Sequence, residues 1–209
     1  LVFRLYGVLV GTHAFRLYGP LLGVQLDEAT AMTADIDIAQ AVHISLAVAG
    51  TADPDFAGAL QRVERFVALP TLRDDHRASQ WRTADRSLSV ELLTPNTGPD
   101  SDRLVDLPAL GAAAQPLRFL DFLIDQPVDA AALYGSGVLV KVPDPVRYAC
   151  HKLIVARRRG PSGQSKVAKD IAQAAALFGV LLEDRAGDVA DLLAAMLSRG
   201  PTWRREGLA

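Results

Sequence analysis

Cysteine is nearly absent from this sequence of 209 residues, and the one thiol, Cys150, cannot form an internal disulfide. A lone cysteine is typical of a reducing compartment, so we expect a cytoplasmic protein.

Long apolar runs are missing as well. None approaches the roughly 18 to 20 residues that a membrane helix needs, so we expect no membrane partner. The chain opens on Leu1 instead of methionine, and we expect the natural protein to begin earlier.

A strong charge of either sign is also missing. The formal net charge is -2, so the molecule as a whole does not carry the basic field that is typical of nucleic-acid binders. Hydrophobic residues make up 50% of the chain, which is ample apolar material for a buried core. The length suits one sizeable domain or two small ones that share a core.

The character of the sequence changes near Pro143 and Pro145. Strand-like patterns dominate before this point, and alanine- and leucine-rich helical patterns follow it. We therefore predict an α/β (α+β) fold with a small mixed β-sheet and helices over residues 1–142. A C-terminal helical region is predicted over residues 143–209, with helices at 146–158, 167–182 and 186–197.

Local patterns predict the elements of the first part. Gly135-Ser136-Gly137 lies between two apolar segments and predicts a β-hairpin. The other predictions are a helix over 12–18 ended by Gly19-Pro20, a strand over 35–48 bending near Gln40, a helix over 54–69, an irregular segment over 72–81 and a strand over 87–93.

Two aspartates, Asp35 and Asp37, stand two residues apart in an apolar strand pattern. Their side chains point to the same face, where the two charges repel each other and are costly to bury. A divalent cation relieves both problems, and magnesium favours carboxylate and phosphate oxygens. Glu91 is a lone carboxylate in a second apolar strand. If the two strands pair, the three carboxylates can hold two Mg²⁺ ions about 3.5 to 4 Å apart.

A glycine turn supplies the second half of the pattern. Gly11 ends the first apolar strand, and Thr12 follows at a helix start. Glycine lets the backbone come close to a phosphate, and the helix N-terminus presents unpaired N–H groups to it. Thr12 adds a hydroxyl donor and can also serve as the helix N-cap. Each piece alone is common in structural roles, and it is the ordered combination that indicates a site.

The order of these pieces resembles the nucleotidyltransferase superfamily related to DNA polymerase β. More closely, the chain resembles a bacterial nucleotidyltransferase-fold family, and the resemblance covers nearly the whole chain. The stretches that carry it are Val10-Gly11-Thr12-His13-Ala14-Phe15, Thr33-Ala34-Asp35-Ile36-Asp37-Ile38-Ala39, Val90-Glu91-Leu92-Leu93-Thr94-Pro95, Pro116-Leu117-Arg118-Phe119-Leu120, Val142-Pro143-Asp144-Pro145, His151-Lys152-Leu153 and Lys169-Asp170.

The resemblance implies a nucleotidyltransferase that uses Mg²⁺ and a nucleoside triphosphate. Asp35, Asp37 and Glu91 are then the catalytic and metal-binding residues, with Gly11 and Thr12 on the phosphates. A lysine near the triphosphate follows the Pro-Asp-Pro motif in that family, which makes Lys152 the candidate for a phosphate contact. A solvated surface lysine is the alternative for this residue.

Three features depart from the family pattern. Thr12 stands where serine or glycine is commoner, which keeps the hydroxyl. The spacing from Gly11 to Asp35 is long, so an inserted element is expected over residues 19–33. The third carboxylate is Glu91 where the superfamily more often has aspartate, which leaves open whether this residue is a ligand or a base.

A local basic cluster is formed by Arg157-Arg158-Arg159 together with Lys166 and Lys169. It could hold the phosphates of a polynucleotide such as tRNA, although a charge run of this kind is usually a solvated face. The remaining candidates favour structural roles: His13 at a helix N-terminus within reach of a nucleotide, His151 on a helix, and Cys150 as a packing residue.

The acceptor is left open by the resemblance, because relatives include antibiotic-modifying enzymes and toxins that modify tRNA or proteins. An RNA or protein acceptor and an antitoxin partner are therefore both allowed. Two other function classes compete with transfer. One is a nucleotide-binding or interaction module without turnover. The other is a metal-dependent phosphohydrolase, which would normally place histidines beside the carboxylates.

Overall fold

The fold is described from a computed structural model, which covers residues 2–26, 33–50, 55–71 and 74–207. Its centre is a mixed β-sheet whose seven strands are β1 (Val8–Val10), β2 (Asp35–Ala39), β3 (Phe66–Thr71), β4 (Asp74–Thr83), β5 (Ser89–Asn96), β6 (Val105–Leu107) and β7 (Ala112–Arg118). A separate hairpin is formed by β8 (Val128–Ala132) and β9 (Val138–Val142). The mixed sheet confirms the predicted fold class.

The helices of the described residues are α1 (Gly11–Leu22), α2 (Val42–Ala47), α3 (Phe56–Val63), α4 (Leu120–Leu123), α5 (Pro145–Arg158), α6 (Val167–Asp184), α7 (Ala186–Ser198) and α8 (Pro201–Gly207). The last four form the predicted C-terminal helical region. None of the helices in the described part of the chain has both the length and the hydropathy to cross a bilayer.

Strand β5 lies at the centre of the sheet. On one side it pairs in parallel with β2. On the other side its first half pairs with β4 and its second half with β7. Residues on both faces of β5 are buried, with Val90 and Leu92 on one face and Leu93 on the other. A strand covered on both faces needs a nearly continuous apolar run, and this is the pattern that made the strand recognisable in the sequence.

Helix α5 joins the helical region to the sheet. Pro145 occupies its first turn, and the Asp144 side chain caps it by accepting hydrogen bonds from two backbone N–H groups at 2.8 and 3.3 Å. Tyr148 of α5 is buried and donates its hydroxyl proton toward Gly11 O, 2.9 Å away. Tyr18 of α1 donates a hydrogen bond to Pro143 O, just before α5, at 2.9 Å. The two hydrogen bonds hold α1 against α5 and the segment that leads into it.

The first helix differs from its prediction at both ends. Helix α1 starts at Gly11 and continues through Gly19 and Pro20 to Leu22, so the prediction that Gly19-Pro20 ends it is wrong. Gly23 ends the helix instead, because its φ of 70° is the left-handed conformation of a helix C-cap. The prediction of an inserted element over residues 19–33 lies partly outside the described residues.

Other predictions of secondary structure were wrong because strand pairing in the sheet overrides the local sequence pattern. The strand predicted over 35–48 stops at Ala39, and after the bend at Gln40 the chain forms α2. The helix predicted over 54–69 ends at Val63, and the chain continues as β3; its first residue, Pro54, lies outside the described residues. The segment predicted to be irregular contains β4, which is held by antiparallel partners on both sides.

The two buried tyrosine hydroxyls can be tested together. Tyr148→Phe and Tyr18→Phe should each lower the free energy of unfolding by about 1 kcal/mol, because each removes a buried hydrogen bond without leaving a cavity. Tyr134→Phe, at a hairpin side chain that is 82% exposed, should change it by less than about 0.5 kcal/mol. Urea unfolding measures all three, and equal values for the three variants would contradict the packing role.

Candidate active site

Two carboxylates lie side by side on one face of the sheet. In the parallel pairing of β2 with β5, Asp37 is the direct partner of Glu91, and Asp35 is the partner of Ser89. Residues that are opposite each other in such a pair point to the same face, and so do residues two apart in one strand. The three carboxylates predicted from the sequence therefore share a face, with Asp37 and Glu91 as direct neighbours.

The glycine turn lies against the first of these carboxylates. Strand β1 pairs with β2 so that Val10 is opposite Asp37, and Gly11 follows immediately with a φ of +63°. A Cβ atom built on Gly11 would be 2.2 Å from Asp37 Oδ2. The carboxylate thus occupies the space of a side chain and would have to move for any other residue, and the positive φ independently favours glycine.

The charges of Asp37 and Glu91 are poorly compensated. Burial, followed by repulsion from Asp35, raises the pKa of Asp37 to about 6. Burial, followed by repulsion from Asp37 and then Asp35, raises the pKa of Glu91 to about 7. Neither carboxylate has a hydrogen bond or ion pair with another described side chain. Two neighbouring acids of this kind are typical of a site that receives a cation or a proton.

Asp35 has a different environment. It accepts a hydrogen bond of 2.6 Å from Ser89 Oγ, and Lys166 Nζ is 3.9 Å from its other oxygen. Its side chain is half exposed, at the rim of the site. Asp35 therefore contributes to the electrostatic field of the site while its own charge is partly neutralised.

The donor chemistry of the site fits magnesium. Within residues 2–26, 33–50, 55–71 and 74–207, no three acidic, histidine or cysteine side chains form a group that could hold a metal ion by themselves. Magnesium, however, is usually bound by one or two carboxylates, with water and substrate phosphates completing its shell. Asp37 and Glu91 meet that requirement, so the residues fit an ion that binds together with a phosphate ligand.

A cavity of about 460 Å³ opens in front of these residues. Gly11, Asp37, Glu91, Tyr148 and Lys152 are among the side chains and backbone that line it. This volume lies within the range of pockets that bind small molecules, roughly 300 to 1,000 Å³. Four of the six residues predicted for the site therefore meet at one cavity.

Thr12 and Asp35 are not part of the cavity lining. Thr12 lies inside the first turn of α1 and is buried, and the helix N-cap is Val10, which provides no side-chain hydrogen bond. The prediction that Thr12 caps the helix is therefore wrong. The reason is that the chain turns into the helix at Gly11 itself, one residue earlier than the sequence pattern suggested.

Lys152 lies at the cavity and is held by a buried acid. Its Nζ is 2.7 Å from Asp170 Oδ1, and Arg159 Nε is 2.5 Å from Asp170 Oδ2. Although burial raises the pKa of Asp170, the contacts with Arg159 and Lys152 hold it below its usual range. Asp170 therefore positions two cations at the cavity. In the sequence, Asp170 belongs to one of the stretches that carry the family resemblance, Lys169-Asp170, and no role was predicted for it.

Tyr148 was not recognised in the sequence at all. It lies fully buried between Phe15 and Tyr18, lines the cavity, and reaches Gly11 O through its hydroxyl. An aromatic residue on an apolar helix face is most often a packing residue, so no local signal distinguishes it. Its role depends on how α5 crosses the glycine turn.

The remaining candidates have structural environments. Cys150 is buried, and burial raises the pKa of its thiol to about 12. His151 is also buried, and burial followed by the nearby charge of Lys152 lowers its pKa to about 3, so the ring is neutral. Burial, with Arg16 and Lys169 nearby, lowers the pKa of His13, whose Nε2 has no hydrogen-bond partner among the described residues.

The basic triplet does not form one continuous positive surface. Arg157 pairs with Glu206 at 3.3 Å, Arg158 with Asp100 at 2.9 Å, and Arg159 with Asp170. Each arginine of the triplet is thus paired with an acid from a different part of the chain. A polynucleotide partner for this cluster stays a prediction.

Comparison with known proteins identifies a family for most of the chain. Residues 1–198 match the model of a family described as nucleotidyltransferase. Among solved structures, the chain is similar to an antigenic nucleotidyltransferase-like protein from Paracoccidioides brasiliensis, with 13% sequence identity and a TM-score of 0.42. That alignment covers 96% of this chain and 83% of the other. No curated protein matches the chain.

The contact between Gly11 and Asp37 predicts the effect of a single methyl group. Gly11→Ala should lower the free energy of unfolding by roughly 2 to 4 kcal/mol, because it adds a steric clash to left-handed backbone strain. Gly23→Ala has the same strain, at a φ of +70°, but its Cβ would meet nothing within 4 Å, so it should cost only about 1 kcal/mol. Urea unfolding compares them, and equal costs would contradict the contact.

The raised pKa of Glu91 predicts a pH dependence of stability in metal-free buffer. The folded protein binds a proton that the unfolded chain releases near pH 4.5, so stability should fall as the pH rises from about 4.5 to 7. Glu91→Gln removes the part of this dependence that Glu91 contributes, leaving the part from Asp37 below about pH 6, and should stabilise the protein at pH 8 by on the order of 2 kcal/mol, with little effect at pH 4. Thermal unfolding across this pH range, with the exposed Glu183→Gln as control, measures it. Parallel curves for wild type and Glu91→Gln would contradict the repulsion.

Proposed function

The chain belongs to the nucleotidyltransferase family, and on this premise we propose that it is a magnesium-dependent enzyme that moves a nucleoside monophosphate from a nucleoside triphosphate to an acceptor hydroxyl. One observation carries the proposal: Asp37 and Glu91 are direct partners on one sheet face, next to the Gly11 turn. Family membership supports a transferase, and the position of these acids supports a metal-assisted one.

In this proposal Asp37 and Glu91 are the principal metal ligands, and Asp35 assists them from the rim. The repulsion between the first two is the physical argument, because a bound cation would remove it and would also compensate for burial of their charges. Bound magnesium supplies a Lewis acid that neutralises the phosphate charges and lowers the pKa of a hydroxyl that it contacts.

The reaction itself needs an in-line displacement at the α-phosphorus. The acceptor oxygen forms a bond to this phosphorus, the bond to the bridging oxygen of pyrophosphate breaks, and the acceptor proton goes to a base. Glu91 is the proposed base where it does not hold the metal, because it is the carboxylate that lines the cavity beside Asp37. The backbone N–H of Gly11 would bind the triphosphate at the N-terminus of α1.

Lys152 is the proposed cation for the phosphates. It lines the same cavity as Gly11 and Asp37, and the Asp170 carboxylate holds its ammonium group in place. Because its side chain is already held in place, this lysine loses little conformational entropy when it binds a phosphate. Its positive charge also lowers the pKa of Asp37, which is consistent with a short distance between them.

The acceptor in this proposal is either RNA or a protein, and the toxin-like role remains a prediction. The main alternative is a module that binds the nucleotide without turnover. The raised pKa values of Asp37 and Glu91 favour the enzyme, because strongly perturbed acids cluster at catalytic sites. Neither β2 nor β5 carries a histidine beside these acids, which disfavours the phosphohydrolase, although His151 of α5 lines the same cavity.

The test is incubation with each α-labelled nucleoside triphosphate, magnesium, and either total cellular RNA or total protein. Wild type should label an acceptor and release pyrophosphate. Asp37→Asn should lower labelling by about a hundredfold or more, because the proposed magnesium site loses one of its two principal ligands. Asp129→Asn, at an exposed acid paired with Lys141, is the matched control and should label like wild type.

The products separate the alternatives. Labelled acceptor together with pyrophosphate means nucleotidyl transfer, and release of orthophosphate means hydrolysis. Nucleotide binding without any product would mean a binding module. Labelling by Asp37→Asn at the wild-type rate would overturn the assignment of this residue.

A further inference from the structure

The cavity extends well beyond the carboxylates to an end that is rich in arginine. Strand β7 pairs with β5 so that Arg118 is the partner of Asn96, which lies five residues after Glu91. At about 3.3 Å per residue, this places Arg118 roughly 16 Å along the strand direction from the acidic end. Arg118 and Arg158 both line the cavity at this far end.

The two guanidinium groups share one aromatic ring. The Cζ atom of Arg118 is 5.2 Å from the centre of the Phe119 ring, and the Cζ atom of Arg158 is 5.1 Å from it. Both distances are within the range of a cation–π interaction. One ring therefore has a guanidinium group from β7 and another from the last turn of α5 near its centre, so the two Cζ atoms lie at most about 10 Å apart.

The ring is held firmly in an unusual conformation. Phe119 has a φ of 69°, which is rare and costly for an aromatic residue. The ring is buried and packs edge-on against Trp203, with 4.6 Å between ring centres. A strained residue that the surrounding structure holds in place is commonly found at functional sites.

The positive charge at this end is only partly neutralised. Arg158 pairs with Asp100, whose side chain is 71% exposed, and an exposed pair of this kind is easily replaced by another anion. Arg118 forms no ion pair with any carboxylate of the described residues. Arg159, the third arginine nearby, is already held by Asp170. Guanidinium groups with donors left over after pairing can bind an anion with several oxygens; here Arg158 Nη2 contacts both oxygens of Asp100, at 2.9 and 3.0 Å, and its other donors face no carboxylate of the described residues.

We propose that Arg118 and Arg158, placed on the Phe119 ring, form a second anion-binding subsite that binds a phosphate group of the acceptor. The subsite is separate from the triphosphate site at Gly11 and Lys152. The assignment of the anion to the acceptor rests on the proposed function. The existence of the subsite does not, because it depends only on the two arginines and the cavity.

The first experiment titrates the metal-free protein with inorganic phosphate at constant ionic strength and follows the fluorescence of Trp203, which contacts Phe119. Arg118→Gln and Arg158→Gln should each raise the Kd for phosphate about tenfold, as expected for the loss of a charge-assisted hydrogen bond. Arg157→Gln is the matched control on the same helix, and its Kd should equal that of wild type. Asp100→Asn frees Arg158 and should lower the Kd about two- to fivefold.

The second experiment distinguishes the acceptor from the nucleotide. A non-hydrolysable nucleoside triphosphate with magnesium is titrated into wild type, Arg118→Gln and Lys152→Gln. Binding should be unchanged in Arg118→Gln and weaker in Lys152→Gln. Equal losses in both variants would assign the arginines to the nucleotide and overturn the acceptor assignment.

The subsite itself is overturned if wild type does not bind phosphate, or if Arg118→Gln and Arg158→Gln bind it as wild type does. These outcomes are independent of the labelling experiment. A protein that transfers no nucleotide can still bind phosphate at the arginines, and a transferase can lack the subsite.

Discussion

Electrostatic repulsion between Asp37 and Glu91 is the constraint on which the site depends. The two acids are direct partners in the parallel pairing of β2 and β5, so the sheet itself keeps them side by side on one face. Burial is the largest cause of the raised pKa of each acid, and repulsion adds to it, from Asp35 on Asp37 and from Asp37 and Asp35 on Glu91. The adjacent Gly11 turn is part of the same constraint, because any larger residue would displace Asp37.

The rest of the molecule surrounds this negative charge with positive charge. The chain has only four lysines, and three of them, Lys152, Lys166 and Lys169, lower the pKa of Asp37 through their fields. Lys152 lies in α5, Lys166 in the turn before α6, and Lys169 in the first turn of α6. The helical region therefore does more than cover the sheet: it brings cations to the acidic face, and Asp170 holds one of them in place. Arg118 of β7 and Arg158 of α5 add positive charge at the other end of the cavity.

The fold could be predicted where the local pattern and the tertiary environment agree. Strand β5 is buried on both faces, and the hairpin of β8 and β9 is closed by a glycine-containing turn, so both were visible in the sequence. The later helices were visible for the same reason. Strand β4 was missed because its charged and polar residues acquire strand conformation from two antiparallel partners, which no local pattern reveals.

The sequence by itself determined which residues bring chemistry: the acids in two apolar strands, the glycine before a helix, and the lysine after the Pro-Asp-Pro motif. Alternation along a strand was enough to put Asp35 and Asp37 on one face. Only the tertiary structure decided that Glu91 is the partner of Asp37, that Lys152 is bound to Asp170, and that Tyr148 reaches Gly11. These contacts join residues 18 to 137 positions apart, and strand register and helix crossing, which create them, are set by packing of the whole chain.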